Sequence, residues 1–174
     1  MEYEFTLKFK LDPQDSDHEA LVERLGAAGC EDAMVGLGVA GQLGLEFVRE
    51  ATSAEDAIVS ALADVKRAIP RAQLVEAGPD FVGLTDVADL LGMSRQNMRK
   101  LMVTHASSFP APLHAGSASL WHLALVLQFL GERGQAKVTQ TLVEVARTAM
   151  RVNITKETAL IGHPVDQRLH ALLA

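Results

Sequence analysis

Only one residue of the 174 is cysteine, Cys30, so the chain cannot close an internal disulfide. A lone thiol fits a reducing compartment such as the cytosol. No apolar run approaches the ~20 residues that a membrane-crossing helix needs. The N-terminus, MEYEFTLKFK, lacks the basic start and unbroken apolar stretch of a secretory signal. There is no internal repeat and no low-complexity tract. The expectation is a cytoplasmic protein with no membrane partner.

Chemistry-bearing patterns are also missing. The histidines at 18, 105, 114, 122, 163 and 170 show no ligand spacing with each other or with Cys30, whereas a zinc site needs close pairs of ligands. Asp15, Asp17 and Glu19 are better read as helix-capping residues than as a hard-cation loop. No nucleophile motif surrounds any Ser, His or Asp. Cys30 is followed by Glu31 and Asp32, which discourage its thiolate. The segment from Gly36 to Gly41 spells G-x-G-x-x-G. The dinucleotide fingerprint requires a helix to start at the third glycine, and here QLGLEFVRE follows, alternating like a strand. No catalytic residue, metal or cofactor is therefore expected, and the chain is read as a non-enzyme.

What is present is a core and a division of charge. Apolar residues make up 48%, enough to fold. Residues 1–80 hold 7 Lys/Arg against 16 Asp/Glu, a balance of −9, and residues 81–174 hold 9 against 6, a balance of +3. Opposite signs in two halves often separate a nucleic-acid module from a module with another task.

Periodicity gives the elements. Tyr3, Phe5, Leu7, Phe9 and Leu11 alternate with Glu4, Thr6, Lys8 and Lys10, the period of two of a half-buried strand. Ser16 with Glu19 reads as a capping box before a helix carrying Leu21, Val22, Leu25 and Ala28. Residues 33–50 alternate on both sides of Ala40-Gly41-Gln42, a hairpin. Ser53 with Asp56 opens a second helix, stopped by Pro70, and AQLVEAG is a last strand. The order β-α-β-β-α-β is the ferredoxin-like plan. RNA-binding domains share it, but they stack bases on aromatics of an open, basic sheet. Here the aromatics lie on the apolar face and the unit is acidic. Gly36, Gly38 and Gly44 flatten the other face, where a second protomer or another domain can pack closely. Gly78-Pro79-Asp80 marks a boundary.

From Leu84 the chain reads LTDVADLLGMSRQNMRKLM. Val87, Ala88 and Leu91 line a short helix capped by Thr85, and small Ala88 permits a close crossing. Gly92 serves a turn needing positive φ, Met93 plugs that turn, and Ser94 caps a second helix. Met98 and Leu101 then pack back on the first helix. These are the mechanical needs of a helix-turn-helix. Arg95, Gln96, Asn97, Arg99 and Lys100 remain pointing outward, as donors to base edges or phosphate.

Together with Phe109-Pro110-Ala111-Pro112-Leu113, Ala115-Gly116-Ser117, Trp121, Leu123, Val126, Phe129 and Leu130, this segment resembles the MerR/AlpA (excisionase-like) winged helix-turn-helix families over residues 81–131. The resemblance implies that the helix from Ser94 enters the major groove of double-stranded DNA and that the wing near Gly116 touches backbone. Wings in those families usually carry arginines. This one reads HAGSAS, leaving His114, Ser117 and Ser119 as phosphate contacts.

Beyond the wing, Val138, Leu142, Val145, Ala149 and Val152 are spaced 4, 3, 4, 3, a short heptad seam. Residues 153–174 read as a polar linker and a small helix with Leu169, Leu172 and Leu173.

The expectation is an α+β chain: a ferredoxin-like acidic domain over 1–80, a winged helix-turn-helix over 81–132, and a helical tail over 133–174 that dimerises through the seam or binds a partner. The expected function is sequence-specific DNA binding in transcriptional regulation. The alternatives are an antitoxin-like protein, holding a protein partner through the acidic domain or the tail, and a regulator that senses a ligand through its N-terminal domain.

Overall fold

A computed structural model describes residues 1–134, 136–162 and 172. The chain is α+β, with six helices and a four-stranded antiparallel sheet among the described residues. Strand β1 (Glu2–Lys10) is central and buries Tyr3, Phe5, Leu7 and Phe9 on one face. It pairs with β3 (Gln42–Glu50) and with β4 (Gln73–Gly78), while β2 (Ala33–Gly36) extends the β3 side. The sheet order is β2-β3-β1-β4. Phe5 lies opposite Phe47 in register, and their rings stack with centroids 5.0 Å apart. The hairpin strand β2 stops at Gly36, so Val39 is exposed instead of continuing the apolar face.

Helices α1 (His18–Ala27) and α2 (Ala54–Ala68) cover the apolar face, burying Leu21 and Leu25 from one and Ala57, Ile58, Ala61 and Val65 from the other. The cap of α1 is Asp17 and not Ser16: the helix starts at His18, which brings the Asp17 carboxylate to the Ala20 N–H at 3.1 Å. Ser53 caps α2 as expected, accepting from Asp56 N–H at 3.0 Å. Hydroxyls of Thr52 and then Ser53 hold the Asp56 carboxyl below the usual carboxylate range.

A buried arginine locks this unit together. Arg49 is 7% exposed on the helix side of β3. Its five donors reach Asp32 Oδ2 and Oδ1 at 2.7 and 3.0 Å, Ser60 Oγ at 3.0 Å, Asp64 Oδ2 at 2.8 Å and the Gly29 carbonyl at 2.9 Å. A guanidinium offers five N–H groups, so none is left over. Cys30 sits beside this cluster. Burial, then Asp64, pushes its thiol up to about 11 from 9.0, with Arg49 opposing. A raised folded value favours the fold below pH 9.0, and that contribution fades as pH rises towards 11. At pH 8, iodoacetamide is expected to alkylate native Cys30 about a hundredfold more slowly than urea-unfolded chain, from the thiolate fraction alone. Equal rates would refute the buried setting.

A second apolar cluster is formed by β5 (Phe81–Val82), α3 (Leu84–Leu90), α4 (Arg95–Thr104), β6 (Trp121–His122) and α5 (Leu123–Glu132). The last helix, α6 (Gln140–Ile161), belongs to both clusters. Val145 and Ala149 lie in the first, with Val152 packed against it; Ala146 lies in the second, with Val138 and Leu142 packed against it. The seam expected to dimerise is thus engaged inside the chain. A 22-residue helix with apolar residues on two sides satisfies both only by lying between two cores. Nor does a linker begin at residue 153, since α6 runs on to Ile161 and ends at Gly162, whose φ of 68° suits glycine. The expected terminal helix with Leu169, Leu172 and Leu173 falls almost wholly outside the described residues.

Candidate nucleic-acid interface

The α3–α4 pair is built around buried Val87, Ala88 and Met98, with Leu91, Met93 and Leu101 half-buried at its margins. Ala88 permits the close crossing that a larger side chain would block. The chain reverses at Gly92, with φ 63°, and the Met93 N–H returns to the Ala88 carbonyl at 2.9 Å. The hydroxyl of Ser94 accepts from the Asn97 N–H at 3.2 Å, the expected cap of α4. The cap of α3 differs from expectation. It is Gly83, whose N–H donates to Asp86 Oδ2 at 2.7 Å, and Thr85 lies inside the first turn, exposed. The helix starts two residues before a Thr85 cap would allow, because Asp86 reaches back to the free backbone donor.

Packing of Met98 and Leu101 fixes which face of α4 looks outward. Arg95, Gln96, Asn97, Arg99 and Lys100 are all exposed. Among the described residues their side chains take part in no hydrogen bond or ion pair. The helix carries three cations and no carboxylate in RQNMRKLMVT. Arg95, Gln96, Asn97, Arg99 and Lys100 therefore make up the donor-rich outer side of α4, with Met98 buried beneath them.

The wing is short. Leu113 N–H reaches the Leu120 carbonyl at 2.8 Å and Leu120 N–H reaches His114 at 3.0 Å, a single bridge rather than a strand pair. Its base is firm: β6 pairs with β5, Trp121 Nε1 donates to the Pro110 carbonyl at 3.0 Å, and Phe109 packs edge-on to Trp121 and Phe129. The His114 ring lies over Gly116, where a Cβ would sit 2.5 Å from Nε2. His114 and Ser117 are exposed on this loop.

Three residues to which pattern reading gives no shared role join the two clusters. Asp80, 1% exposed, accepts from His122 Nδ1 and from Asn153 Nδ2, each at 2.8 Å, and its carbonyl accepts from Leu123 N–H at 2.7 Å. Asn153 also pairs both ways with the backbone of Ala77, at 2.9 and 2.8 Å. The residue read as a boundary is a joint. No composition signal marks it, because Asp80, His122 and Asn153 are each ordinary alone and far apart in the chain.

Elsewhere, β3 follows Gly41 where a dinucleotide site needs a helix. Among the described residues no group of three or more His, Cys, Asp or Glu is placed to hold a metal ion, and no helix is long and apolar enough to cross a membrane. Comparison with known proteins gives no match among family models, curated proteins or solved structures.

Proposed function

We propose that this protein is a cytosolic, sequence-specific double-stranded DNA-binding regulator, with a ferredoxin-like unit over 1–80 and a winged helix-turn-helix over 81–132. The element order β-α-β-β-α-β with sheet order β2-β3-β1-β4 supports the first unit. One observation carries the function: the exposed, unengaged row Arg95, Gln96, Asn97, Arg99 and Lys100 on the second helix of a braced helix pair. Arginine pairs bidentately with guanine and Asn or Gln with adenine, while lysine grips phosphate as a point charge. His114 and Ser117 on the wing reach backbone. The acidic unit stays off the duplex, since phosphate repels it. Selection from a pool of random duplexes at low salt tests the reading. The intact protein is expected to enrich one sequence, and a pool that never converges overturns it.

The protein is further proposed to act as a homodimer, through the open face of the sheet. Along β1 that face reads Glu2, Glu4, Thr6, Lys8, Lys10, acidic at one end and basic at the other. Glu50 of β3, opposite Glu2, reinforces the acidic end, and Glu46 stands opposite Thr6 at the middle. At the basic end Lys8 also pairs with Glu76 of β4 at 3.2 Å, and Gly44, opposite Gly36, keeps that end flat. Two copies related by a two-fold axis place each acidic end on the other's lysines. Met34 and Val48, 72% and 51% exposed, supply apolar contact. Two linked recognition helices gain affinity through effective concentration and read a palindrome with half-sites ~34 Å apart. Light scattering is expected to show a dimer. Lys8→Glu with Lys10→Glu should yield monomer, and adding Glu2→Lys with Glu4→Lys should restore the dimer. A monomeric wild type, or a first variant that stays dimeric, rules this surface out.

A further inference from the structure

Between α2 and α6, beside β4, lies a cavity of about 370 Å³. Val59, Leu62, Leu74 and Val152 give it an apolar lining. Thr148, only 8% exposed, lines it too. On the same helix Thr155 and Thr158 bond back to the carbonyls of Arg151 and Ile154, each at 2.8 Å. The Thr148 hydroxyl has no such bond, nor any other partner among the described residues. No fully enclosed side-chain polar atom of the described residues is without a partner, so this hydroxyl opens onto the cavity. Arg151 and Lys156 also line it, with one carboxylate, Glu55. The Arg151–Glu55 pair, at 2.9 Å, is more than half exposed on both sides, the kind of ion pair that exchanges easily.

We propose that this cavity binds a small amphipathic acid, with its apolar body among Val59, Leu62, Leu74 and Val152 and its carboxylate on Arg151. The volume falls in the range of about 300–1,000 Å³ typical of small-molecule sites, and an apolar lining with few convergent polar groups is their usual character. The guanidinium fork pairs a carboxylate bidentately and exchanges Glu55 for it. Thr148 donates or accepts one hydrogen bond along the ligand. Lys156 is held by the Val75 carbonyl and by Glu157 at 2.8 Å, so it adds positive field rather than a direct contact. Whatever sits here touches α6, the element that both cores share. The proposal does not depend on DNA binding.

The probe is 1-anilinonaphthalene-8-sulfonate, an apolar ring system bearing one anion, titrated into the full chain. Saturable binding at one site per chain is expected, with displacement by decanoate and much weaker displacement by decanol. Arg151→Glu is expected to weaken both anions about tenfold or more, as loss of a charge-assisted contact does. Val59→Trp, at a half-exposed position on the rim, should abolish binding by filling the cavity. Thermal unfolding of each variant keeps loss of fold distinct from loss of site. The proposal is overturned if folded wild type binds no probe, if decanol competes as well as decanoate, or if folded Val59→Trp and Arg151→Glu bind as wild type does.

Discussion

Replacing Arg95 and Arg99 together with alanine is expected to weaken binding to the selected duplex by roughly 10²- to 10⁴-fold, because each bidentate base contact is worth about 1–3 kcal/mol. The loss should be uneven across sequences. Preference should relax at the two base positions proposed for the arginines and persist at those proposed for Gln96 and Asn97. Lys100→Ala is the contrasting case. A phosphate contact carries no sequence information, so all duplexes should weaken alike and the salt slope should fall by about one. Stability should hardly move, since exposed side chains with no partners cost within about 0.5 kcal/mol. That separation matters, because it ties lost affinity to the α4 surface and not to a disturbed helix pair. A double variant that binds as wild type does would remove α4 from the interface.

The candidate interface was largely legible because a helix pair imposes its constraints locally. Gly92, Ser94, Ala88 and Met98 all fall within one short stretch, and each answers a different geometric need. The strands were legible for the same reason: alternation in β1 over Tyr3 to Phe9 is a property of neighbours. Errors arose where tertiary partners decide. Thr85 looks like a cap until Asp86 reaches back to Gly83. Alternation puts Arg49 on the apolar face of β3 but does not show what satisfies it there: Asp32 arrives from the loop before β2, and Ser60 and Asp64 from α2. The heptad spacing in α6 marks an apolar stripe and suggests a dimer seam, but spacing does not say what lies against a stripe. Here the chain's own two cores do. Cys30 was expected to be poorly reactive because of Glu31 and Asp32. The larger cause is burial, with Asp64 the strongest reinforcing charge and Asp32 a weaker one, and Asp64 is unreachable from sequence proximity.

Asn153 shows the same limit at its most consequential point, and its replacement should be the costliest single change for stability. As the residue where the apolar pattern of α6 lapses, it reads as the start of a linker. In the fold it is wholly buried. β4 is an edge strand, and an unpaired edge leaves backbone donors and acceptors without partners. Asn153 supplies them, its amide acting as a strand would: Oδ1 accepts from Ala77 N–H and Nδ2 donates to the Ala77 carbonyl. The same Nδ2 donates to Asp80, whose other oxygen holds His122 at the base of the wing. Asn153→Ala strands three buried polar groups, each costing about 1–3 kcal/mol, so a loss of roughly 3–9 kcal/mol is expected. That is a large share of the 5–15 kcal/mol by which domains are typically stable. Asn153→Leu tests the cause, because it keeps the volume and loses the same bonds. If hydrogen bonding is what matters, leucine should cost nearly as much as alanine in urea unfolding, and if leucine restores stability the joint is a packing contact instead. The joint also ties the two apolar clusters to one helix. Wild type is therefore expected to unfold in one calorimetric transition, and Asn153→Ala to broaden or split it as the clusters uncouple. A sharp single transition at the wild-type temperature would show that α6 holds the clusters together without Asn153.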